Sequence, residues 1–509
     1  MNVYEKLEAK EQWARAGGRL SAKGAKILEG KVFVRDRLKL LLDEEPDFED
    51  GLLAGAEKGV PADAVVTVIG NVNGRKVAVI ANDISSKAGS WGFQTFIKIT
   101  RFQELAFSLK IPLVYLVDSA GARIDEQKLC YLGRRAWGNI FYNQVKFSGA
   151  IPQLCVLFGP SPAGAAYVPA LCDAVVMVDK KATAYLASPR MVKMAIGEDV
   201  TDEQLGGARM HCTLSGLGDV LVHSDEEAIE VAKRYLAYFP SSYVDQPHLA
   251  PGAGLKAAPP DLTAIIPTDQ AQPYDVKLLV DALADDDSVF EIKPLFAKEI
   301  VTALVRMGGR PIGIVANNSK VKGGALFNDS SDKAARFIWL CSAFNVPLLF
   351  LQDISGYMVG SSVEKTGSIR HGAKLLSAVC EATVPRISVM VRKAYGGGYL
   401  AMSGAPTHPD AMLALPTAMP ALVGPEAAIN ALFFNQIAEL PEAQRPAFIK
   451  AKRAEYAADI DVFSTAADSM AVEAVIHPNR LRDELIRRFD AYARKVPASF
   501  DKRNPVHPV

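Results

Sequence analysis

The feature that most constrains this 509-residue chain is a long internal repeat. Identical residues recur at a constant spacing of 235 positions (310 − 75 = 353 − 118 = 235): Arg75 matches Arg310, Ala81-Asn82 matches Ala316-Asn317, Pro112 matches Pro347, Asp118 matches Asp353 and Gly121 matches Gly356. A spacing that holds across positions 75–121 indicates duplication of a whole folding unit. Between Pro240 and Pro273 the sequence becomes rich in Pro, Ala and Gly, as linkers are. We therefore predict two homologous lobes, residues 1–255 and 256–509.

A glycine turn lies in the middle of the second lobe. Val391 to Ser403 reads VRKAYGGGYLAMS and follows an apolar run that begins at Ile387. This pattern predicts a strand, a turn at glycines 396–398, and the start of a helix. Glycine lets a ligand approach bare backbone, and the first N–H groups of a helix have no partner within it. Such N–H groups, at the positive end of the helix dipole, can stabilise an oxygen that becomes negative during a reaction.

The first lobe contains the same construction. Ile151 to Pro169 reads IPQLCVLFGPSPAGAAYVP, an apolar run that leads into Ala163-Gly164-Ala165-Ala166-Tyr167. We predict one pocket of backbone amides in each lobe, because the construction occurs twice. An isolated glycine turn is also a common packing device, and this alternative stays open for either turn taken by itself.

The remaining pattern predicts alternating strands and helices. Asn73-Gly74, between two Val-rich stretches, indicates a hairpin that opens the first lobe. A helix over 96–109 and a buried strand over 113–117 then lead to Asp118-Ser119-Ala120-Gly121-Ala122-Arg123, a rhythm typical of βαβ sheets that bind ligands at their strand ends. Further helices are predicted at 32–42, 127–148, 331–344, 368–382, 430–457 and 478–495. In the first of these, Arg35 and Arg37 are expected on a solvated face.

Composition excludes several functional classes. Lys+Arg and Asp+Glu both total 57, so no global field favours nucleic acid or an anionic membrane. The six cysteines show no CxxC spacing, which argues against a zinc ribbon and favours buried thiols in a reducing cytoplasm. The N-terminus carries Glu5, Glu8 and Glu11 without an apolar core, unlike a secretory signal, and no apolar run is long enough to span a membrane.

No other catalytic motif competes with the two turns. The chain has no G-x-S-x-G elbow, P-loop, HExxH or strand-preceded GxGxxG. His371, at a predicted helix start near the glycine turn, is interpreted as structural, because a base must be placed by geometry. Lys193 in RMVKMAIG faintly echoes a biotin-attachment sequence but lacks the small β-domain that such a site needs, so we do not assign biotin to it.

The motifs together resemble a known family. They are GKVFVRDRLKLLLDE, LVDSAGARI, GPSPAGAAYVPA, LGGARMHCTLSG, FEIKPLFAKEI, GRPIGIVAN, AARFIWLCSAFNVPLLFLQDISGYMVG, IRHGAKLLSAV and VRKAYGGGYLAMSG, spread over about residues 20–490. The chain resembles the carboxyltransferase (β) subunit of biotin-dependent acyl-CoA carboxylases. VIANDISSKAG and FYNQV are more similar to methylcrotonoyl-CoA carboxylase subunits, whereas GARI and IRHGAK are more similar to the propionyl-CoA type.

The resemblance implies an α/β fold of two crotonase-like lobes, each a superhelix of ββα units, and a reaction that needs two oxyanion sites. Carboxybiotin gives up CO2, its ureido nitrogen takes the acidic proton of an acyl-CoA, and the enolate attacks CO2. By the family's pattern, the amides of Ala163 and Gly164 in lobe 1–255 hold the thioester enolate. Those of Gly397 and Gly398 in lobe 256–509 hold the biotin oxygen. A protein base is not required.

The resemblance also implies binding residues and partners. Gly396, Tyr399, Tyr167, Ala120, Gly121, Ala122 and Arg123 are expected to contact biotin or coenzyme A, and no metal is expected. Biotin is carried by a partner with biotin carboxylase and biotin carrier parts, which alone uses ATP and bicarbonate. The chain is expected to form a homohexamer within a hetero-oligomer. Leu400 stands where propionyl-type members carry Asp, which favours a longer or more apolar acyl chain.

Three functions follow, in order of preference. The first is carboxyl transfer to an acyl-CoA in a cytoplasmic carboxylase. The second is the reverse half-reaction, as in sodium-pumping acyl-CoA decarboxylases. The third is a non-catalytic scaffold on the same fold, which two intact glycine turns disfavour.

Overall fold

A computed structural model of the chain describes residues 2–133, 136–250, 260–496 and 506–508. Contacts divide it into two compact units, Met1–Gln246 and Pro247–Val509, called unit 1 and unit 2 below. The predicted boundary between residues 255 and 256 falls within 251–259, outside the described residues.

Unit 1 is built on a mixed sheet, of which seven strands lie in its described residues. Their spatial order is Phe48–Asp50, Val65–Val72, Arg75–Asn82, Leu113–Val117, Gln153–Leu157, Ala174–Val178 and Val220–Val222. The first three strands are antiparallel, and the later neighbours are parallel. A separate parallel pair joins Pro160–Pro162 to Thr183–Tyr185. The inner parallel strands are continuous apolar runs and are fully buried, because both of their faces are covered.

Unit 2 repeats this sheet. Its described strands follow the order Phe290–Ile292, Ile300–Met307, Arg310–Asn317, Leu348–Ile354, Arg386–Tyr395, Ala411–Ala414 and Ala474–Val475, and Met419–Ala421 pairs with the end of Arg386–Tyr395. Ala78 pairs with Leu113 in unit 1, and Gly313 pairs with Leu348 in unit 2, so both partners are shifted by the spacing found in the sequence (313 − 78 = 348 − 113 = 235). The duplicated architecture predicted from the sequence is confirmed.

The predicted Asn73-Gly74 hairpin is present. The two residues join Val65–Val72 to Arg75–Asn82 and have φ of 52° and 72°, the left-handed conformation of a tight two-residue turn. Gly308 and Gly309, with φ of 60° and 79°, make the equivalent turn in unit 2. The hairpin places the buried sheet in the same register in both units.

Helices cover the sheets. In the described part of unit 1 the α-helices are Val3–Ala16, Ala22–Ile27, Val34–Leu41, Phe93–Leu109, Gln127–Cys130, Gly138–Phe147, Tyr167–Leu171, Pro189–Ile196, Asp202–Gly206, Ala208–Met210 and Asp225–Leu236. In the described part of unit 2 they are Leu262–Ile265, Val276–Leu283, Asn328–Ala343, Ser361–Lys365, Ser368–Glu381, Gly396–Ala401, Pro425–Leu432, Phe434–Glu439, Arg445–Asp459, Val462–Ser469 and Leu481–Tyr492.

Two predicted helices are interrupted. The helix expected over 127–148 becomes Gln127–Cys130 and Gly138–Phe147, with Gly133 at φ 122° between them. The helix expected over 430–457 is divided into three. Leu440 is extended before Pro441, and proline disfavours helical backbone in the residue that precedes it.

The prediction that Arg35 and Arg37 lie on a solvated face of the helix at 32–42 is wrong. Arg37 on helix Val34–Leu41 is 1% exposed, and its guanidinium donates to Asp225 at 2.8 Å and lies 4.1 Å from the centre of the Phe158 ring. Arg35 is half-buried and makes two hydrogen bonds of 2.8 Å to Glu49. The segments that supply these partners lie elsewhere in the sequence, so the local charge pattern could not reveal them.

All six cysteines are free thiols; Cys380 is exposed and the other five are buried. Within residues 2–133, 136–250, 260–496 and 506–508, no helix is both long enough and apolar enough to cross a membrane. The same residues contain no group of three or more His, Cys, Asp or Glu side chains arranged to hold a metal ion.

Candidate active site

The glycine turn of unit 2 follows the sheet's longest parallel strand. Strand Arg386–Tyr395 passes directly into helix Gly396–Ala401, and Gly396 has a φ of 53°. Gly398 is buried, and a Cβ there would lie 2.5 Å from Ile354 Cγ1 and 3.1 Å from Gly356 Cα. Gly398 therefore has to be glycine so that the backbone can pack closely. Gly397 faces open space, because the only described atom near its missing Cβ is Tyr357 Cδ2 at 4.0 Å.

The N–H groups of this turn are available. Gly397 and Gly398 lie in the first turn of the helix, where backbone N–H groups have no intrahelical acceptor. Among the described residues, neither N–H lies within hydrogen-bonding distance of another acceptor. The turn thus presents unpaired donors at the positive end of a short helix.

A cavity of about 620 Å³ opens at this turn. Gly396 and Gly397 line it together with Gly356, Tyr395, Lys393 and Glu426. The rest of its wall is mostly apolar and comes from Ala271, Met419, Leu422, Val423, Gly424, Pro425 and Ala427, with Gln270 and Ser355. A mainly apolar cavity with a few convergent polar groups is the usual form of a small-molecule site.

The turn is supported from behind by the loop at the end of strand Leu348–Ile354. The Tyr357 ring lies between Gly397 and Gly372, and burial raises the pKa of Tyr357 to about 12, so the phenol stays neutral. His371, next to Gly372, contacts Asp332 through Nδ1 at 2.9 Å. Asp332 also pairs with Lys374 at 2.9 Å. These contacts hold His371 to helix Asn328–Ala343, and its interpretation as a structural residue stays a prediction.

Tyr399 and Leu400 follow the turn. The Tyr399 hydroxyl accepts a hydrogen bond from the Ala405 N–H at 2.8 Å, and burial raises the pKa of this phenol. Its ring lies against Gly404. Leu400 is half-buried. Contact of Tyr399 with biotin, and of Leu400 with the acyl group, stay predictions.

A buried ion pair fixes the strand that carries the turn. Arg392 is fully buried and donates to Asp353 at 2.8 and 3.2 Å. In unit 1 the equivalent Asp118 pairs instead with Lys31 at 2.8 Å and Arg37 at 3.3 Å. The matching aspartates of the two units therefore pair with cations that come from different segments of the chain.

The reason for this difference lies at Gly159, between strands Gln153–Leu157 and Pro160–Pro162, before the turn of unit 1. Gly159 matches Arg392 at the spacing that separates the two turns (392 − 159 = 396 − 163 = 233). A Cβ on Gly159 would collide with the Asp118 carboxylate. No side chain fits there, so the cations of unit 1 reach Asp118 from the N-terminal part of the chain.

The turn of unit 1 has the same shape. Ala163, at the start of the 3-10 helix Ala163–Ala166, has a φ of 53°, the value found at Gly396. A left-handed alanine is strained, and such strain tends to persist where function requires it. Ser161 Oγ donates to the Ala165 carbonyl at 2.9 Å and holds the turn. Within the described chain the N–H groups of Ala163 and Gly164 have no acceptor in hydrogen-bonding distance.

The loop 120–123 lies against this turn. Gly121 has a φ of 87°, and a Cβ on it would approach Pro162 Cγ to 3.2 Å. Ala122 forms a bridge with Trp91, as Tyr357 does with Leu326 in unit 2. The structure therefore places Gly121 beside Pro162, the residue that precedes Ala163. A shared site of Ala120, Gly121 and Ala122 with Ala163 and Gly164 stays a prediction.

The Arg123 guanidinium donates hydrogen bonds to acceptors of the protein itself. It is 7% exposed, and its guanidinium donates to Asp63 Oδ1 at 2.6 Å and to the Ser90 carbonyl at 2.9 Å, with Glu126 at 3.3 Å. These bonds hold the loop 120–123 in place. A direct contact of Arg123 with a ligand stays a prediction.

A second cavity, of about 650 Å³, adjoins the loop 120–123 through Ala88. Ala88 in its wall accepts a hydrogen bond from the Ala120 N–H at 2.9 Å. Lys23 and Lys87 are its basic residues, and Ser86 is buried with an unpaired hydroxyl. The remaining wall is formed by Trp13, Gly17, Gly18, Leu20, Ser21, Gly24, Ile27, Gly59, Pro61 and Ser85. Two ammonium groups and hydroxyls suit an anionic, phosphorylated ligand.

Sequence reasoning missed two buried lysines. Lys98 Nζ donates to the carbonyls of Val65 at 2.5 Å and Ala62 at 3.2 Å. Lys333 holds the matching position in unit 2 (333 − 98 = 310 − 75 = 235) and donates to the equivalent carbonyl of Ile300 at 2.8 Å, among others. Burial lowers the pKa of Lys98 to about 8 and that of Lys333 to about 7. Their matching positions in the internal repeat could have identified both lysines from the sequence.

Comparison with known proteins identifies the family. The family model described as the carboxyl transferase domain matches residues 26–506. This chain belongs to the carboxyl transferase domain family. It is a carboxyltransferase of the biotin-dependent acyl-CoA carboxylase type, with two crotonase-like units, as the motifs predicted.

The similar proteins include a carboxylase, a decarboxylase subunit and a transcarboxylase, by their names. The chain is 53% identical over 506 residues to the "Uncharacterized carboxylase YngE" of Bacillus subtilis (strain 168), and the match covers 99% of each chain. It is 35% identical over 505 residues to the methylmalonyl-CoA decarboxylase subunit alpha of Veillonella parvula, covering 97% of each chain. A solved structure of the transcarboxylase 12S hexamer with methylmalonyl-coenzyme A and methylmalonic acid bound superposes with a TM-score of 0.92. It shares 35% identity and covers 99% of this chain and 98% of that one.

Proposed function

We propose that unit 1 binds an acyl-CoA thioester, that unit 2 binds the biotin of a separate carrier protein, and that the chain moves a carboxyl group from one to the other. The observation that carries this proposal is the duplicated turn. Both turns begin with a residue at φ 53° and present N–H groups without an acceptor in the described chain. The reaction develops negative charge on two oxygens, and each turn supplies donors for one of them.

Unit 1 suits the thioester. The unpaired N–H groups of Ala163 and Gly164 would bind the enolate oxygen and lower the energy of the carbanion form. The loop 120–123 joins this turn to the cavity that contains Lys23 and Lys87. These ammonium groups would pair with phosphates of the coenzyme A moiety. One continuous surface of unit 1 would thus serve both ends of an acyl-CoA.

Unit 2 suits the ureido ring of biotin. When bound, biotin would supply the carboxyl group and take up the substrate proton. The N–H groups of Gly397 and Gly398 would bind the ureido oxygen, and the apolar wall of the 620 Å³ cavity would exclude water. The neutral Tyr357 behind the turn and the buried Arg392–Asp353 pair would keep these N–H groups in position. No side chain of this site has to act as a base.

The proposal includes partners. A protein with biotin carboxylase and biotin carrier parts would consume ATP and bicarbonate and present carboxybiotin, and this chain would act as a homohexamer in the cytoplasm. The hexamer assembly of the 35% identical transcarboxylase 12S supports the proposed homohexamer.

The decarboxylase direction is the second candidate, because the decarboxylase subunit of Veillonella parvula is 35% identical over 97% of its length. That function requires a membrane partner. A complex purified with a biotinylated carboxylase, and free of membrane subunits, would exclude this candidate.

The experiment for the first candidate is an assay with the cognate biotinylated partner and a panel of acyl-CoAs, with ATP, bicarbonate and isotope incorporation as the readout. ATP-dependent carboxylation of one acyl-CoA is the expected result. Absence of carboxyl transfer in either direction, with biocytin and malonyl-type CoA esters as well, would contradict the proposal and leave only the scaffold.

A further inference from the structure

Two aromatic rings flank the amide turn of unit 1. Phe141 Cζ lies 3.8 Å from the position that a Cβ on Gly164 would occupy. The rings of Phe141 and Tyr167 meet edge to face, with centroids 6.0 Å apart. Phe141 is partly exposed and Tyr167 is 48% exposed, so both rings offer apolar surface beside the unpaired Gly164 N–H. Accessible aromatic rings next to a polar anchor are typical of ligand walls.

The helix that carries Phe141 is held by buried amide side chains. Gln103 Nε2 donates to the Ile140 carbonyl at 3.2 Å, and Asn143 Nδ2 donates to Gln103 Oε1 at 3.2 Å. Gln103 and Asn143 are buried. These bonds tie helix Gly138–Phe147 to helix Phe93–Leu109 on both sides of Phe141.

Two further bonds tie the same helix to the segment that follows the amide turn and to strand Gln153–Leu157. Gln144 Nε2 donates at 3.0 Å to the carbonyl of Val168, the neighbour of Tyr167. Gln153 Nε2 donates to the Gln144 carbonyl at 2.9 Å. The two aromatic residues are therefore fixed relative to each other through a buried network, and the distance between them does not depend on surface contacts.

Unit 2 holds the equivalent helix differently. At the spacing that relates Asp118 to Asp353, the residues Ile338, Ala378 and Val379 replace Gln103, Asn143 and Gln144, and Leu376 replaces Phe141. Ile140 and its counterpart Leu375 are both fully buried, which confirms that the two helices correspond. Hydrogen bonds are directional and apolar contacts are not. In the described residues, buried amide side chains hold this helix in unit 1, the unit proposed to bind the acyl-CoA, whereas the helix of unit 2 is tied to helix Asn328–Ala343 through Asp332 near its first turn instead.

We propose that Phe141 and Tyr167 form the wall against which the acyl chain of the thioester lies, and that Phe141 sets the size of acyl group that is accepted. This inference rests on the proposed function. A thioester oxygen bound at the Gly164 N–H places the acyl carbons on the open side of Gly164, where Phe141 Cζ is the boundary. The substrate class is an acyl-CoA with an apolar acyl chain. Gln103, Asn143 and Gln144 are positioning residues for this wall.

The test compares acyl-CoAs of increasing length in full-length wild-type enzyme and in Phe141→Leu and Phe141→Ala variants, each with the cognate biotinylated partner. The readout is the ratio of kcat/KM for a longer acyl-CoA to that for the preferred one. One methylene in an apolar pocket is worth about 10–200-fold. We expect this ratio to rise at least tenfold in Phe141→Ala and by a smaller factor in Phe141→Leu.

Two controls separate specificity from general disturbance. Leu376→Ala changes the equivalent position in unit 2 and is expected to leave the ratio unchanged. Gln144→Val introduces the unit 2 residue behind the wall and is expected to shift the same ratio with a change mainly in KM. A purely structural role for Gln144 would lower stability without moving the ratio. If Phe141→Ala does not fold, Phe141→Leu carries the test, because it places in unit 1 the side chain that unit 2 already accommodates.

The measured activities distinguish failure of this inference from failure of the proposed function. Active Phe141 variants whose ratios stay within twofold of wild type would overturn the specificity wall and leave the carboxyltransferase assignment intact. A wild-type enzyme that transfers no carboxyl group with any acyl-CoA would overturn both.

Discussion

Replacement of Gly397 by proline tests whether a backbone N–H of unit 2 takes part in the chemistry. Gly397 is the second residue of helix Gly396–Ala401, and proline is tolerated in the first turn of a helix because no intrahelical bond is lost there. The substitution removes the Gly397 N–H without breaking an intrahelical hydrogen bond. Gly397→Ala is the matched control, since alanine keeps the N–H.

The expected magnitude follows from the geometry. Loss of one oxyanion donor costs about 2.7–4 kcal/mol of transition-state stabilisation, or about 10²–10³ in kcat. A Cβ at Gly397 meets only Tyr357 Cδ2 among the described atoms, at 4.0 Å, an ordinary contact. Gly397→Ala should therefore fold normally and retain far more activity than Gly397→Pro.

The assay is carboxyl transfer from a malonyl-type CoA to biocytin, combined with a measurement of acyl-CoA affinity and of oligomeric state. We expect Gly397→Pro to lose transfer while acyl-CoA affinity, assigned to unit 1, and the oligomer persist. Wild-type activity in Gly397→Pro would refute the reasoning. Equal losses in the proline and alanine variants would also refute it, because the N–H would then not be the cause.

Three further results are expected. Gly398→Ala places a Cβ 2.5 Å from Ile354 Cγ1 and should lower the free energy of unfolding by about 1–3 kcal/mol in a denaturant titration; an unchanged midpoint would contradict the packing described. Arg37→Ala takes the guanidinium away from the buried Asp225, which keeps only Lys181 as a charged partner among the described residues, and should cost about 3–5 kcal/mol, whereas a loss under about 1 kcal/mol would show that the Arg37–Asp225 pair is solvated. Burial lowers the pKa of Lys333 from its usual 10.5 to about 7, so the folded state binds fewer protons than the unfolded state between these values. The free energy of unfolding should rise with pH across that window and lose this rise in Lys333→Met, as measured by denaturation at several pH values.

Much of the site was visible in the sequence because it is made of backbone. Small residues after an apolar run predict the turns at Ala163–Gly164 and at Gly396–Gly398, and the structure shows a φ of 53° at the first residue of each turn. The loop 120–123 was predicted from its place at a strand end, and its contact with Pro162 agrees with that expectation.

Other features had no local signal. Arg37 reads as a surface charge on an amphipathic helix, yet it is buried against Asp225, which lies 188 residues away. Phe141 reads as one aromatic residue in an ordinary helix, and only the packing of that helix on the turn places it beside Gly164. The interruption of the helix near Gly133 likewise depends on backbone that local periodicity does not describe.

The sequence by itself determined the duplication, the strand-and-turn pattern of each unit and the family, because these depend on spacing and on residue types that recur along the chain. Tertiary structure alone decided which charges are buried and which rings border the amide turns. The physical reason is that burial and ion pairing depend on neighbours supplied by distant segments. The two units share the backbone path of the internal repeat, but the side chains that pack on it differ. The matching aspartates pair with Arg392 in unit 2 and with Lys31 and Arg37 in unit 1.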